Sequence, residues 1–169
     1  GGAVIWQGAI GRDSFDIVVR RTIDKYFSQP NYYKIDGCPV FMIYDVDNLI
    51  KGLGGIDKTR EALDAFRDKV KAAGFPELHL QLTSWGEHYH NLSGVDSEKR
   101  YSTKEIASLL RFDSLTNYQF VHFTNIDRDY DEILVDVKRE WERTDREYDI
   151  PYYPHISVGW DNNPRFQGF

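Results

Sequence analysis

Apolar runs bounded by polar or turn-forming residues recur along the chain and predict four β-strands. The segment PVFMIYDVD contains a continuous apolar run, Val40 to Tyr44, which is typical of a buried strand that opens into a loop at Asp45. ELHLQLTSW predicts a second strand, bounded by Pro76 and Gly86. DSLTNYQFVHF predicts a weaker third strand, and YYPHISVGWD a fourth that again ends in a carboxylate.

Helical spacing of apolar residues predicts helices between these strands. STKEIASLLRF predicts a short helix capped by Ser102, with Glu105 completing a capping box. DRDYDEILVDVKREWERTDREYD predicts a long amphipathic helix with Trp141 on its buried stripe, and a further helix, around Phe15 to Phe27, precedes the first strand. The helix after the first strand ends at a glycine and a proline, and its apolar residues are Ala62, Leu63, Phe66, Val70 and Ala73.

This alternation predicts an α/β fold in which parallel strands are joined by right-handed helical crossovers. No internal repeat or low-complexity stretch interrupts it, so residues 1–169 are predicted to form a single domain. The chain contains neither G-x-G-x-x-G after a strand nor G-x-x-x-x-G-K, the two common nucleotide-binding fingerprints. The glycine-rich GLGG, residues 52–55, is predicted to lie in a loop.

Composition and charge narrow the classes of function. Of the 169 residues, 41% are hydrophobic and 28% charged, which is typical of a folded domain. The net charge of −6 disfavours nucleic acid as a partner, and no apolar run reaches the roughly 20 residues of a membrane helix. Cys38 is the single cysteine, so no internal disulfide forms, and a small buried or half-buried residue is expected there rather than a nucleophile. The 11 Tyr, 10 Phe and 4 Trp suit either a core or a sugar site.

Polar and aromatic side chains follow the predicted strands at the points where the strands end. The carboxyl ends of parallel strands meet at one edge, which is where ligands bind in barrels and in open α/β sheets. The sequence therefore predicts a common hollow there, suited to a carbohydrate. The residues expected to converge on it are Asp45, Trp85, Glu87, Tyr118 and Asp161.

Two motifs resemble those of a known family. PNYYKIDGCPVFMIYD resembles a stretch reading roughly Asn-Tyr-x-x-x-x-Gly-x-Pro-Val-Phe-x-Ile-Tyr in the WbsX-like glycosyltransferase / glycoside hydrolase family 99-like proteins. GWDNNPRF resembles the Trp-Asp-Asn-x-Pro-Arg element of the same family. The motifs occur in the family's order, and the resemblance covers nearly the whole chain after about Ile23.

The resemblance implies a (β/α)8 TIM-type barrel that acts on glycans, typified by retaining endo-acting mannosidases. Such a barrel needs about 250 residues, so four strands would form about half of one. A segment like the family's Asn-Glu-Trp-x-Glu-Gly, which carries its catalytic glutamates, is not found, and the only Glu-Trp pair, Glu140-Trp141, lies in a predicted helix. We therefore assign no catalytic residue.

For several site candidates a structural alternative stands beside the functional one. Asp45 would otherwise form an Asx-turn, Tyr118 would pack in the core, and Asp161 would cap the turn before Pro164. Glu87 would otherwise lie in a solvated loop. The predicted substrate-binding residues are Asp45, Trp85, Glu87, His88, Tyr118, Trp160, Asp161, Asn162 and Arg165.

The sequence predicts neither a metal nor another cofactor. His88 and His90 occupy alternate positions in EHYH, an arrangement that places two histidines on one side of an extended segment. A third ligand is not evident, so the pair is interpreted as incidental.

Three functions remain open at this stage. The first is a part of a glycan-processing, glycoside hydrolase-like barrel that acts on α-mannosides and lacks the acid/base segment. The others are a non-catalytic carbohydrate-binding domain and a sugar-nucleotide-dependent glycosyltransferase. Half a barrel would leave strand edges unpaired, so we expect either a homodimer or a remainder of the barrel supplied by a longer chain.

Overall fold

The computed structural model describes residues 10–86, 89, 90, 92 and 100–159, which form five α-helices and six strands. The helices are α1 (Arg12–Thr22), which continues as a π-helical turn (Ile23–Phe27), α2 (Val46–Leu53), α3 (Ile56–Ala72), α4 (Thr103–Leu109) and α5 (Tyr130–Glu147). The strands are β1 (Lys34–Ile35), β2 (Cys38–Ile43), β3 (His79–Ser84), β4 (Tyr89–His90), β5 (Tyr101–Ser102) and β6 (Ser114–Asn117). A 3₁₀ helix, Phe120–His122, follows β6.

Four strands form one mixed sheet in the order β1-β2-β3-β6. Strands β2, β3 and β6 are parallel, with Ile43 opposite Leu82 and Ser84 opposite Asn117. The predicted α/β class and the first three predicted strands are therefore confirmed. Strands β4 and β5 pair separately as a short antiparallel ribbon.

The turn before the first long strand is a tight hairpin. Asp36 and Gly37 both have positive φ, at 50° and 82°, as a two-residue type I′ turn requires. Because the turn is so short, Lys34–Ile35 folds back antiparallel onto β2. This edge strand, which makes the sheet mixed rather than wholly parallel, was not among the predicted strands.

The fourth predicted strand, in YYPHISVGWD, is wrong for the described residues up to 159. One bridge forms, where Leu115 N–H donates to the Pro151 carbonyl and Tyr153 N–H donates to the Leu115 carbonyl. The next donor, His155 N–H, bonds the side-chain Oδ1 of Asn117 instead of a backbone carbonyl. The ladder therefore stops after a single bridge.

The predicted loop at GLGG is wrong for Gly52 and Leu53, because Val46–Leu53 is helical, whereas Gly54 and Gly55 form the turn to α3. Asp45 caps this helix, and apolar residues at positions i, i+3, i+4 and i+7 outweigh the poor helix propensity of Gly52. Gly54 ends it in the left-handed conformation, with φ of 88°. The buried stripe of α2 is Val46, Leu49, Ile50 and Leu53.

The two faces of the parallel strands differ in composition, since successive residues of a strand point to opposite faces. We call one face the covered face: Phe41 packs edge-on against Phe66 of α3, and the residues in register with it are buried in the main core. We call the other the open face, on which Met42 is 52% exposed. The covered face carries Phe41, Ile43, Leu80, Leu82 and Leu115, whereas the open face carries Met42, Gln81, Thr83, Ser114 and Thr116.

Helices α4 and α5 match their predicted positions. Ser102 caps α4, and its side chain and that of Glu105 form the predicted capping box. Trp141 of α5 packs against Phe120 in a small second core, as predicted. Cys38 is half-buried and free, also as predicted. None of the described helices is long and apolar enough to span a membrane.

Candidate functional site

An aromatic residue directly follows each of the three parallel strands. Tyr44 follows β2, Trp85 follows β3 and Tyr118 follows β6. The strands run side by side in the same direction, so their carboxyl ends meet at one edge of the sheet. Three rings are therefore brought together by the sheet register rather than by proximity in the sequence.

These rings and one histidine form what we call the aromatic cluster: Tyr44, Trp85, Tyr118 and His122. The ring centroid of Trp85 lies 4.9 Å from that of Tyr44, 5.0 Å from that of Tyr118 and 4.9 Å from that of His122. The indole Nε1–H of Trp85 donates to the Tyr44 carbonyl at 2.9 Å, which fixes the plane of the indole. Tyr44 remains 45% exposed, so the cluster presents aromatic surface to a ligand.

His122 reaches the cluster from the 3₁₀ helix, and its ring stacks on Tyr118 at 5.2 Å. Burial lowers the pKa of its imidazole, so the ring is neutral at pH 7. Gly86 permits this approach, because a Cβ there would lie 2.9 Å from the His122 carbonyl oxygen. Sequence reasoning missed His122, since its position depends on how the chain turns after β6.

A cavity of about 620 Å³ opens beside the aromatic cluster, and we call it the aromatic cavity. Its far wall comes from the start of α5 and from the segment after Tyr152, where the Tyr130 hydroxyl donates to the Ser157 carbonyl at 2.8 Å. Its volume falls within the range of about 300–1,000 Å³ that is usual for small-molecule sites. Its lining outside the aromatic cluster includes Gln119, Phe120, Val121, Ile126, Arg128, Tyr130, Ile133, Ser157 and Gly159.

Asn117 holds that far wall in place from the last position of β6. Its buried side chain donates through Nδ2 to the Tyr118 carbonyl at 2.7 Å and accepts from His155 N–H at 2.9 Å. It also accepts from the Tyr152 hydroxyl, whose pKa is raised by burial, so this donor keeps its proton. One amide therefore joins the strand end, the aromatic cluster and the returning chain.

A second cavity, of about 480 Å³, lies on the other side of Trp85 and His122, which line both. We call it the polar pocket, because most of its other residues carry hydroxyl, amide or charged groups. The first turns of α2 and the end of β3 supply much of its wall. Its remaining lining residues are Asp45, Val46, Asp47, Asn48, Lys51, Thr83, Ser84, His90 and Thr103.

Three of the predicted site residues lie at this edge in the described structure: Asp45, Trp85 and Tyr118. Trp85 and Tyr118 line the aromatic cavity, and Tyr118 is half-buried. Asp45 lines the polar pocket and also has a structural role, since its carboxylate accepts from the backbone N–H of Asn48 at 3.0 Å and caps α2. The other predicted residues lie outside the described ones, namely Glu87, His88, Trp160, Asp161, Asn162 and Arg165.

His90 is itself buried and lies in the middle of a hydrogen-bonded chain of three side chains. Its Nδ1 lies 2.5 Å from Oδ1 of Asp47, and its Nε2 lies 3.2 Å from Oγ1 of Thr103. Its predicted companion His88 lies outside the described residues. Within the described residues no three His, Cys, Asp or Glu side chains are placed to hold a metal ion.

Asp113, another carboxylate near the sheet, lies at the start of β6 and away from this edge. Its Oδ2 accepts from Arg67 at 2.8 Å and from the backbone N–H of Leu80 at 2.7 Å. The residue joins α3 to the sheet and has a structural role.

Comparison with known proteins gives one informative match. The profile of a protein family described as Glycosyltransferase WbsX matches residues 5–168, nearly the entire chain. No curated protein and no solved structure matches.

Proposed function

The chain belongs to the WbsX glycosyltransferase family, and from that premise we propose that it binds a glycan during glycan processing, with one sugar ring held in the aromatic cavity. The observation that supports this most is the aromatic cluster itself. Tyr44, Trp85 and Tyr118 meet at the carboxyl edge of three parallel strands, with Trp85 within 5.0 Å of each of the other two rings. Aromatic faces suit the C–H faces of pyranose rings, and neighbouring polar groups bond the hydroxyls.

The lining of the aromatic cavity favours binding over acid/base chemistry. Glycoside hydrolysis uses two carboxyl groups, about 5–5.5 Å apart for retention of configuration. Among the described residues that line this cavity there is no Asp or Glu. We therefore assign these residues to substrate binding and assign no general acid or base.

At a finer level, we propose that the sheet is about half of a glycoside hydrolase-like (β/α)8 barrel that acts on α-mannosides. The parallel order of β2, β3 and β6 supports this, as does the polar open face, which would line the interior of such a barrel. The predicted site residues from Trp160 to Arg165 remain part of this proposal. A homodimer, or barrel strands supplied by a longer chain, would complete the barrel.

A second candidate is transfer of a sugar from a nucleotide donor, which the family's description favours. Titration with GDP-mannose and UDP-glucose separates the candidates, since binding of either nucleotide sugar, but of no free oligosaccharide, would favour the transferase. A purely carbohydrate-binding role predicts oligosaccharide affinity without any turnover.

The experiment for the main proposal measures binding of α-mannobiose and maltose by calorimetry. We expect Trp85→Ala and Tyr118→Ala each to weaken binding at least about tenfold, equivalent to about 1.4 kcal/mol. Tyr33→Ala is the matched control, because Tyr33 is 68% exposed and lies on the β1 side of the sheet. Equal affinity in all three variants would contradict the assignment of the aromatic cavity.

A further inference from the structure

The polar pocket adjoins the aromatic cavity and shares two wall residues with it. We propose that the polar pocket is a second sugar subsite, for a neutral hydroxylated unit linked to the unit that stacks in the aromatic cavity. This inference rests on the proposed function and adds to it a minimum ligand of two sugar units. Trp85 and His122 would then lie beneath the linkage between the units, since both residues line both cavities.

The lining of the polar pocket supplies the donors and acceptors that hydroxyl groups require. Asp45 accepts from Asn48 N–H at 3.0 Å and from Asn48 Nδ2 at 2.7 Å, which leaves part of the carboxylate's capacity of about four hydrogen bonds. Lys51 is exposed at the rim and provides ammonium donors. Mixed donors and acceptors on a rigid helix turn suit a ring with several hydroxyls.

The inner wall of the pocket is held rigidly by the chain from Asp47 through His90 to Thr103. His90 is 3% exposed and Thr103 is 1% exposed, so these two members are shielded from water, whereas the Asp47 side chain is 31% exposed. It joins α2, β4 and the first residue of α4, three elements that are distant in the sequence. The polar groups of the pocket are therefore positioned before a ligand arrives, which lowers the cost of binding.

Thr83 gives an independent indication of a ligand. It lines the polar pocket near the end of β3, its side chain is 5% exposed, and its hydroxyl has no hydrogen-bond partner among the described residues. A buried hydroxyl without a partner costs about 1–3 kcal/mol. A sugar hydroxyl that enters the pocket would supply the missing partner.

The charges around the pocket select against anionic sugars. Asp45 and Asp47 contribute two carboxylates, whereas Lys51 contributes one ammonium group. A uronate or a sugar phosphate would be repelled by this excess of negative charge, whereas a neutral unit would use the carboxylates as acceptors. The aromatic cavity differs in this respect, because no described residue in its wall is acidic.

The test compares one-unit and two-unit ligands on the whole chain by calorimetry. The probes are methyl α-mannopyranoside and α-mannobiose, methyl α-glucopyranoside and maltose, and a mannuronate dimer. We expect each neutral disaccharide to bind at least about tenfold tighter than its monosaccharide, and the mannuronate dimer to bind more weakly than mannobiose. Lys51→Met and Thr83→Val should bring the ratio of disaccharide to monosaccharide affinity towards one while leaving monosaccharide affinity unchanged.

The control variants are Lys138→Met on α5 and Thr116→Val on β6, neither of which changes a residue lining the pocket, and both should keep the wild-type ratio. A melting temperature for Thr83→Val equal to or above that of the wild type would show that the variant folds. Equal affinities for monosaccharide and disaccharide in the wild type, or an unchanged ratio in Lys51→Met and Thr83→Val, would overturn this inference and leave the proposed function standing. Absence of binding by every neutral probe would remove the proposed function as well.

Discussion

The two faces of the parallel sheet have opposite polarity, and each face reverses its polarity where the strands end. The covered face is apolar along the strands. Every second residue of a strand lies on this face, and the last such residues, at the carboxyl edge, are Asp45, Ser84 and Asn117. The open face is mainly polar along the strands, and the same alternation leads to Tyr44, Trp85 and Tyr118. Burial of the covered face therefore stabilises the fold, whereas the reversal at the edge creates the two cavities.

The reversal of polarity at the carboxyl edge explains why the polar pocket and the aromatic cavity are adjacent. Asp45 and Ser84 line the polar pocket, whereas Tyr44 and Tyr118 line the aromatic cavity. Trp85 stands between the two groups and belongs to both cavities. Substitutions along the strands of the covered face should consequently lower stability most, whereas substitutions that line the two cavities at the carboxyl edge should affect binding.

The largest loss of stability is expected in the core that packs against the covered face. Phe66 of α3 is fully buried, and its ring contacts Phe41 at 5.1 Å and Phe15 at 6.2 Å. Phe66→Ala should lower the free energy of unfolding by about 3–5 kcal/mol, because it removes a large buried ring and leaves a cavity. Urea denaturation measures this, with Ile17→Ala on the exposed side of α1 as a control expected to change it little. A loss below about 1 kcal/mol for Phe66→Ala would contradict the assignment of the covered face.

A smaller loss is expected at the carboxyl edge, where Asn117 is one of the polar residues that end the covered face. Asn117→Ala removes the acceptor of His155 N–H and of the Tyr152 hydroxyl, and the donor to the Tyr118 carbonyl. We expect a loss of about 2–3 kcal/mol, since groups left without partners at a partly buried site are costly. Asn31→Ala, at an exposed position, is the matched control.

Hydrogen exchange sharpens the prediction for Asn117. The backbone amides of Tyr153 and His155 should exchange faster in Asn117→Ala, because the returning segment loses its attachment to β6. The amides of β2 should exchange no faster than the lower free energy of global unfolding of the variant requires. Unchanged exchange at His155 would show that the wall of the aromatic cavity does not depend on Asn117.

The parts of this fold that the sequence predicted are those determined by local signals. The capping box of Ser102 and Glu105 joins residues three positions apart, and the strand Val40 to Tyr44 shows as a continuous apolar run. Helix α2 had a local signal too, its i, i+3, i+4, i+7 stripe, but the glycines that follow obscured it. Trp85 and Tyr118 were found because carboxyl ends of parallel strands converge regardless of the details of the loops.

The parts that could not be predicted depend on contacts between distant segments. Asp47 and His90 are 43 residues apart, and nothing near either residue indicates the other. His122 reaches Trp85 only because the chain forms a 3₁₀ turn after β6. The end of the predicted fourth strand depends on a side-chain acceptor, Asn117, which competes with the backbone for His155 N–H. Periodicity reports burial, and it carries no information about such competition.

A pH-dependent effect is expected on the open face, where His79 Nε2 lies 2.7 Å from the Ser114 hydroxyl. Burial is the main cause that lowers the pKa of His79, with the nearby Arg67 adding to it and Asp113 opposing it. Between this lowered pKa and the unfolded value of about 6.5, the unfolded chain binds more protons than the folded one. The stability due to neutral His79 is therefore fully present above about pH 6.5 and is lost as the pH falls through the lowered pKa.

Melting temperatures at pH 7.5 and pH 5.5 test whether stability falls as the pH falls. His79→Gln should reduce the drop in melting temperature between the two values. His122→Gln should reduce it too, because burial also lowers the pKa of His122. The double variant should show the smallest drop. A larger drop in His79→Gln than in the wild type would mean that the folded state favours the charged imidazole.

The smallest effect is expected at Met42, which neighbours Phe41 on β2 but lies on the open face. Met42→Thr keeps a residue suited to a strand and changes a side chain that is 52% exposed, so the free energy of unfolding should change by no more than about 0.5 kcal/mol. Phe41→Ala, one residue away, should lower the free energy of unfolding several times more, because its ring packs on Phe66.

Urea denaturation at two protein concentrations checks both values. A loss above about 2 kcal/mol for Met42→Thr that grows with protein concentration would show that a second copy covers the open face in solution, as completion of a barrel by a homodimer would require.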